Sequence, residues 1–180
     1  MAFLLLLGCF NATSDCAEAD LFHVYAHPGG EFGGCTFESA RDIKGVRCLG
    51  KPFATSLWPD GSVAYCYLDG AQTVADIALP VDSSVSLYED GRIGSWSISP
   101  NSEGPSETAT YKGQACTRAE FHTNGQMASC VTFGAQGSKD SLSQKCWDEN
   151  GGDVDVRTCR RRELDSPYSL WSARAKKTKR

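Results

Sequence analysis

The chain has 180 residues, of which 41% are hydrophobic and 22% charged, and its formal net charge is −4. This length allows one domain with a sizeable core. No apolar stretch approaches the roughly 20 residues that cross a bilayer, and no amphipathic helical period lasts beyond about two turns. The composition therefore disfavours a membrane-spanning helix and a helical bundle.

The N-terminus carries a leucine run that ends at a cysteine. Leu6, Gly8 and Cys9 follow this run in the order Leu-x-Gly-Cys, which resembles the lipobox of bacterial lipoprotein precursors. The resemblance implies that the signal peptide is removed before Cys9, which is then acylated and anchors the protein to a membrane. Residues 1–8 lack the basic n-region and the length of a full signal peptide, so we interpret them as a truncated signal-peptide-like segment. The alternative is an apolar N-terminal strand with a free buried cysteine.

Four similar segments follow a tether at residues 9–21, and each is centred on a turn glycine. The second turn glycines are Gly30, Gly61, Gly91 and Gly125, at steps of 31, 30 and 34 residues. A fixed period of this size indicates a repeat architecture. Asp-Gly and Asn-Gly, and less strongly Gly-Gly, suit two-residue type I′ turns. We therefore predict an all-β fold, with an elongated repeat sheet of four β-hairpins over residues 22–132.

Two-residue turns would fix the cross-strand partners. On one face, a ring faces a bulky side chain: His27 with Phe32, Trp58 with Val63, Tyr88 with Ile93 and His122 with Met127. The opposite face pairs Ala26 with Gly33, Leu57 with Ala64, Leu87 with Gly94 and Phe121 with Ala128. Two steps beyond, on that opposite face, lie Val24 with Cys35, Thr55 with Cys66, Val85 with Trp96 and Ala119 with Cys130. We predict that this opposite face forms the core.

The ring positions His27, Trp58, Tyr88 and His122 have two interpretations. Stacked in parallel, the rings would form an exposed surface for a glycan or a peptide. The same ring-to-aliphatic pairs are also ordinary cross-strand stabilisers, and we favour this simpler interpretation. We expect no catalytic residues and no cofactor. We also expect no metal site, since His23 and His27 would lie about 13 Å apart along a strand, too far to bind one metal together.

The nine cysteines can be paired by comparing the segments. An element between the hairpins recurs as Ile43-x-Gly45-x-x-Cys48, Val74-x-Asp76-x-x-Leu79 and Tyr111-x-Gly113-x-x-Cys116. In the second copy of this element, Leu79 stands in place of the cysteine. In the hairpin that follows that copy, Trp96 also stands in place of the cysteine. The joint loss of both indicates that the two positions bond each other. We therefore predict disulfides Cys16–Cys35, Cys48–Cys66 and Cys116–Cys130. The best helical candidate by propensity, residues 71–79, coincides with this element and is interpreted as extended.

The remaining cysteines define the C-terminal part. Residues 133–159 are predicted to form a separate disulfide loop closed by Cys146 and Cys159. Cys9 is then left over, and four disulfides indicate an oxidising compartment. The Asp148 to Asp155 loop is rich in oxygen ligands but lacks the EF-hand order that Ca²⁺ sites follow.

Charge is divided unevenly along the chain. Residues 1–156 have a net charge of −11 and residues 157–180 a net charge of +7. A short basic tail such as residues 160–180 is more often a solvated terminus than a binding element. We expect no nucleic-acid partner.

The hairpins also resemble a known repeat family. Trp58-Pro-Asp-Gly-Ser-Val, Tyr88-Glu-Asp-Gly-Arg-Ile and Phe121-His-Thr-Asn-Gly-Gln-Met look like the units of MORN-like bacterial repeat proteins, found in many predicted lipoproteins. This resemblance, over about residues 22–132, implies a row of hairpins that serves assembly or binding, with no catalytic residues to carry over. The chain departs from the standard unit by lacking its later Gly-x-Gly positions and by adding cysteine pairs.

These observations lead to two functional hypotheses. The first is a cell-envelope lipoprotein of the outer membrane, periplasm or cell surface, which acts as a structural or interaction module for an envelope protein or glycan. The alternative is a periplasmic enzyme or enzyme inhibitor whose site lies in the 101–108 insertion or the 146–159 loop.

Overall fold

A computed structural model describes residues 21–26, 32–99, 107–133 and 142–157. These segments contain fifteen β-strands, which are numbered in chain order. They are β1 (Leu21–Ala26), β2 (Phe32–Phe37), β3 (Arg41–Ile43), β4 (Val46–Cys48), β5 (Thr55–Leu57), β6 (Val63–Tyr67), β7 (Gln72–Val74), β8 (Ile77–Leu79), β9 (Ser83–Leu87), β10 (Ile93–Ile98), β11 (Ala109–Tyr111), β12 (Gln114–Cys116), β13 (Arg118–Phe121), β14 (Met127–Phe133) and β15 (Leu142–Cys146).

Nine of these strands form one antiparallel sheet in the order β1-β2-β5-β6-β9-β10-β13-β14-β15. The remaining six form three small hairpins, β3–β4, β7–β8 and β11–β12. Each small hairpin lies in the chain between two hairpins of the main sheet, so the main sheet follows the sequence without crossing connections. The predicted all-β class is confirmed.

Type I′ turns, which the sequence predicts for the main-sheet hairpins, are found in the small hairpins. Both central residues have positive φ in Lys44-Gly45 (49° and 87°), Ala75-Asp76 (46° and 64°) and Lys112-Gly113 (48° and 80°). Type I′ geometry needs positive φ at both positions. Residues 71–79 are extended, as predicted, and fold back on themselves as β7–β8.

The turns of the main sheet are longer than predicted. Gly61 N–H donates to the Trp58 carbonyl and Trp58 N–H donates to the Ser62 carbonyl, both at 2.8 Å. Within this turn, positive φ is found at Gly61 (81°) and not at Asp60. These features define a three-residue loop, a type I turn closed by a glycine in the left-handed region. The turns at Tyr88 and His122 have the same pattern, so the prediction of two-residue type I′ turns at these positions is wrong.

The partners next to the turns are therefore also corrected. The observed pairs are Ala26 with Phe32, Leu57 with Val63, Leu87 with Ile93 and Phe121 with Met127. A β-bulge follows each pair, and its extra residue is small: Gly33, Ala64, Gly94 or Ala128. The extra residue of the bulge offsets the extra residue of the loop. Strand pairing beyond the bulge, farther from the turn, therefore has the predicted register. The predicted pairs Val24 with Cys35, Val85 with Trp96 and Ala119 with Cys130 are confirmed.

The core lies between the main sheet and the small hairpins, and two disulfides cross it. Cys48 of β4 is bonded to Cys66 of β6, and Cys116 of β12 to Cys130 of β14, with Cα separations of 5.8 and 5.5 Å. Both pairings are confirmed. Cys35 and Cys146 are also disulfide-bonded, and their predicted partners Cys16 and Cys159 lie outside the described residues, as does Cys9.

Part of the C-terminal segment extends the main sheet. Strand β15 pairs with β14 along its whole length. Beyond it, the chain turns back so that Trp147 pairs with Asp153, and Val154 N–H donates to the Cys146 carbonyl at 3.0 Å. The predicted disulfide loop over residues 133–159 stays a prediction, since Cys159 lies outside the described residues.

Replacement of Trp96 tests whether this residue, which stands where the other hairpins have a disulfide-bonded cysteine, stabilises the core. Trp96 is 1% exposed and packs on Phe121, with 5.4 Å between ring centroids. Trp96→Ala should lower the free energy of unfolding by about 3–5 kcal/mol, because it leaves a large cavity. Val81→Ala is the control, since Val81 is 43% exposed. Equal losses from both changes in urea unfolding would contradict a core role for Trp96.

Candidate functional site

The ring positions of the main sheet are buried. Trp58, Tyr88 and His122 are 2%, 6% and 8% exposed, and His27 lies outside the described residues. The interpretation of an exposed row of rings is therefore wrong for these three. A binding role for them stays a prediction, but their burial leaves little ring surface for a ligand.

Each buried ring donates a hydrogen bond to the backbone of the next turn region along the chain. Trp58 Nε1–H donates to the Leu87 carbonyl at 2.9 Å, and the Tyr88 hydroxyl to the Phe121 carbonyl at 3.0 Å. His122 Nε2–H lies 3.1 Å from the Trp147 carbonyl. Since a carbonyl only accepts, Nε2 carries the proton. The rings therefore connect neighbouring hairpins.

The turns themselves are closed by short polar side chains. Asp60 Oδ1 accepts the Ser62 N–H at 2.9 Å, and Asp90 Oδ1 accepts the Arg92 N–H at 3.1 Å. Burial by itself would raise the pKa of the Asp60 carboxyl, but hydrogen bonds from Ser62 and Lys44 lower it below its usual value. A hydrogen bond from Arg92 lowers the pKa of Asp90. Both carboxylates therefore stay ionised and accept hydrogen bonds within their own turns.

A shallow groove of about 380 Å³ lies between the small hairpins and the turns of the main sheet. Its floor consists of buried aliphatic side chains, and its rim carries Lys44, Thr73, Glu89 and Asp90. Lys44 is already paired with Asp60 at 3.0 Å, and Asp90 with Arg92 at 2.7 Å. The groove therefore offers few polar groups that are not already engaged within the protein.

The second face of the main sheet points away from the core and is rich in hydroxyl groups. Neighbours of the core residues along each strand point to this face, because side chains alternate. We call it the polar face, and it includes Ser56, Tyr65, Tyr67, Ser84, Ser86, Ser95, Ser97, Arg118, Glu120 and Ser129. Four of its serines are buried, whereas both tyrosines are half-buried. Among these residues of the polar face, the two tyrosines provide the aromatic surface.

Three aromatic rings meet at the tyrosines of the polar face. Phe53 and Tyr67 have ring centroids 4.3 Å apart, and Tyr65 lies 5.7 Å from Tyr67 in an edge-on arrangement. Arg118 and Glu120 form an ion pair at 2.7 Å on the same face, roughly 14 Å away across three strand spacings. The tyrosines and the ion pair together form the best candidate binding surface.

The sequence contained a signal for this surface that the predictions missed. Tyr65 and Tyr67 flank Cys66, and the period of two along a strand places both rings opposite a core cysteine. The tyrosine pair occurs in one hairpin and not in the others, so it is not part of the pattern that the four segments share.

The other predicted sites are engaged in structure or lie outside the described residues. Within residues 146–157, the Asp148 carboxylate caps its own turn by accepting the N–H groups of Asn150 and Gly152. Residues 101–106 of the predicted insertion are not described. In the described segments, no group of three His, Cys, Asp or Glu side chains is arranged to hold a metal, and no helix is long and apolar enough to cross a membrane.

Comparisons with known proteins identify no relative. No family model, curated protein or solved structure matches the chain. A functional assignment therefore depends on the surface of the protein itself.

Ionisation of Tyr65 tests its environment on the polar face. Burial, together with a hydrogen bond to Tyr67, raises the pKa of Tyr65 to about 12. The neutral phenol is thus favoured in the folded state, and this stabilisation is complete below about pH 10 and is lost as the pH rises towards 12. In tyrosinate absorbance titrations, Tyr65→Phe should match the parent at about pH 11 and lose absorbance only above about pH 12. A loss already at pH 10 would contradict this environment.

Proposed function

We propose that this protein is an extracytoplasmic β-repeat module that binds a glycan through the two tyrosines of its polar face. The proposed repeat has a period of about 30 residues, as the turn glycines do. It is supported by the hydrogen-bond pattern common to the turns at Trp58, Tyr88 and His122, and by the small bulge residue common to four hairpins.

The location outside the cytoplasm is supported by the cysteines. The disulfides Cys48–Cys66 and Cys116–Cys130 join the small hairpins to the main sheet, and Cys35 and Cys146 are bonded as well. Structural disulfides of this kind persist in oxidising compartments. We further propose that Cys9 is acylated and attaches the module to a membrane, as its lipobox-like context implies.

The observation that carries the binding proposal is the pair of half-buried rings Tyr65 and Tyr67 on a serine-rich face of the main sheet. A tyrosine ring presents an apolar body and a polar tip, which suits a sugar ring with its C–H face and its hydroxyl groups. Arg118 and Glu120 add charged donors and acceptors farther along the same face. The rigid sheet keeps these groups in fixed positions, which lowers the entropy lost on binding.

Binding measurements on immobilised glycans test the proposal. The double variant Tyr65→Ala and Tyr67→Ala should weaken binding at least about tenfold, equivalent to roughly 1.4 kcal/mol. Deletion of residues 176–180 is the control and should leave binding unchanged. Disulfide mapping and thermal unfolding of both variants verify that the fold is retained. If the deletion abolishes binding and the tyrosine changes do not, the interaction is electrostatic and the proposed surface is wrong. Capture of protein alone would identify a protein partner instead.

A further inference from the structure

Two Asn-Gly pairs occupy the same position in turns of the same type. Gly125 N–H donates to the His122 carbonyl at 2.8 Å, and Gly151 N–H donates to the Asp148 carbonyl at 3.0 Å. The two glycines have φ values of 82° and 84°. Asn-Gly is the sequence most prone to spontaneous deamidation, because glycine does not hinder attack by its own amide nitrogen. The backbone geometry is similar at both pairs, so the contacts of the asparagine side chains are the main structural difference between them.

The side chain of Asn124 is held at both ends. Its Oδ1 accepts the Gln126 N–H at 3.0 Å, and its Nδ2 donates to the Glu149 carbonyl at 2.8 Å. The second bond joins this turn to the following one. Rotation of the carboxamide towards the Gly125 nitrogen would break both hydrogen bonds.

The side chain of Asn150 lacks this restraint because Asp148 has taken over the capping role. Asp148 Oδ1 accepts the N–H of Gly152 at 2.8 Å, and Gly152 corresponds to Gln126 in the other turn. The same oxygen accepts the Asn150 N–H at 2.9 Å. Across the described segments, no hydrogen bond holds the Asn150 carboxamide, and this residue is exposed.

We propose that Asn150 is a site of spontaneous deamidation in the folded protein and that Asn124 is protected. The Gly151 nitrogen attacks Cγ of Asn150, a C–N bond forms, and the Cγ–Nδ2 bond breaks. Ammonia leaves with the amide proton. Water then opens the resulting succinimide at either carbonyl, giving aspartate or isoaspartate. The net reaction consumes one water and releases one ammonia, with no oxidant or reductant.

The reaction alters the turn in two ways. It adds a negative charge beside Asp148 and Glu149. The isoaspartate product also inserts a carbon atom into the backbone between residues 150 and 151, which displaces the Gly151 N–H from the Asp148 carbonyl.

Peptide mapping by mass spectrometry during incubation at mildly alkaline pH tests the proposal. In the folded protein, Asn150 should deamidate about tenfold faster than Asn124, the factor expected when one or two net hydrogen bonds must break. In the reduced and denatured protein, the two sites should react at similar rates. Equal rates in the folded protein, or faster reaction at Asn124, would overturn the proposal.

Two variants of Asp148 test whether its capping of the turn is what leaves the Asn150 carboxamide free to react. Asp148→Ala frees the Gly152 N–H, so Asn150 can accept it as Asn124 accepts the Gln126 N–H, and deamidation at Asn150 should slow. Asp148→Asn keeps an acceptor oxygen and should leave the rate close to that of the parent. Faster reaction in Asp148→Ala than in Asp148→Asn would contradict the capping argument. Should Asp148→Ala fail to fold, the comparison of the two sites in the parent protein decides alone.

Discussion

The hydrogen bond from a buried ring to the backbone of the next turn region ties the turn ends of neighbouring elements of the main sheet together. Trp58, Tyr88 and His122 differ in size, but each combines an apolar body with an N–H or O–H donor. A phenylalanine would fill the same space and leave a buried carbonyl without this donor, at a cost in stability. This requirement explains which rings occupy the position. Asp148 stands at the corresponding position of the last turn and caps that turn instead.

The sequence predicted the disulfides better than the turns. Correlated loss of two cysteines at Leu79 and Trp96 was sufficient to choose the pairing, because a disulfide needs both partners. The turn type was ambiguous, since Asp-Gly suits both a type I′ turn and a type I turn with a bulge. Pro59 was the missed signal, because proline favours the second position of a type I turn. The Asp60 side chain then stabilises this turn through the Ser62 N–H.

The candidate surface was only partly predictable. Strand alternation around Cys66 places Tyr65 and Tyr67 opposite the core, and this could have been derived from sequence. The ring-to-carbonyl hydrogen bonds could not, because they depend on the distance between hairpins that are far apart in the chain. The positions that the hairpins share thus serve packing and cross-linking, and the candidate binding surface lies where one hairpin differs from the others.

Urea unfolding of Tyr88→Phe is the most direct measurement of the coupling between hairpins. The change removes the hydroxyl that donates to Phe121 and leaves the ring in place. We predict a loss of about 1–2 kcal/mol in the free energy of unfolding. Tyr111→Phe is the matched control, since its half-buried hydroxyl makes a longer bond of 3.3 Å to Gly125, and it should lose less. An unchanged stability in Tyr88→Phe, or a loss no larger than that of Tyr111→Phe, would contradict the account.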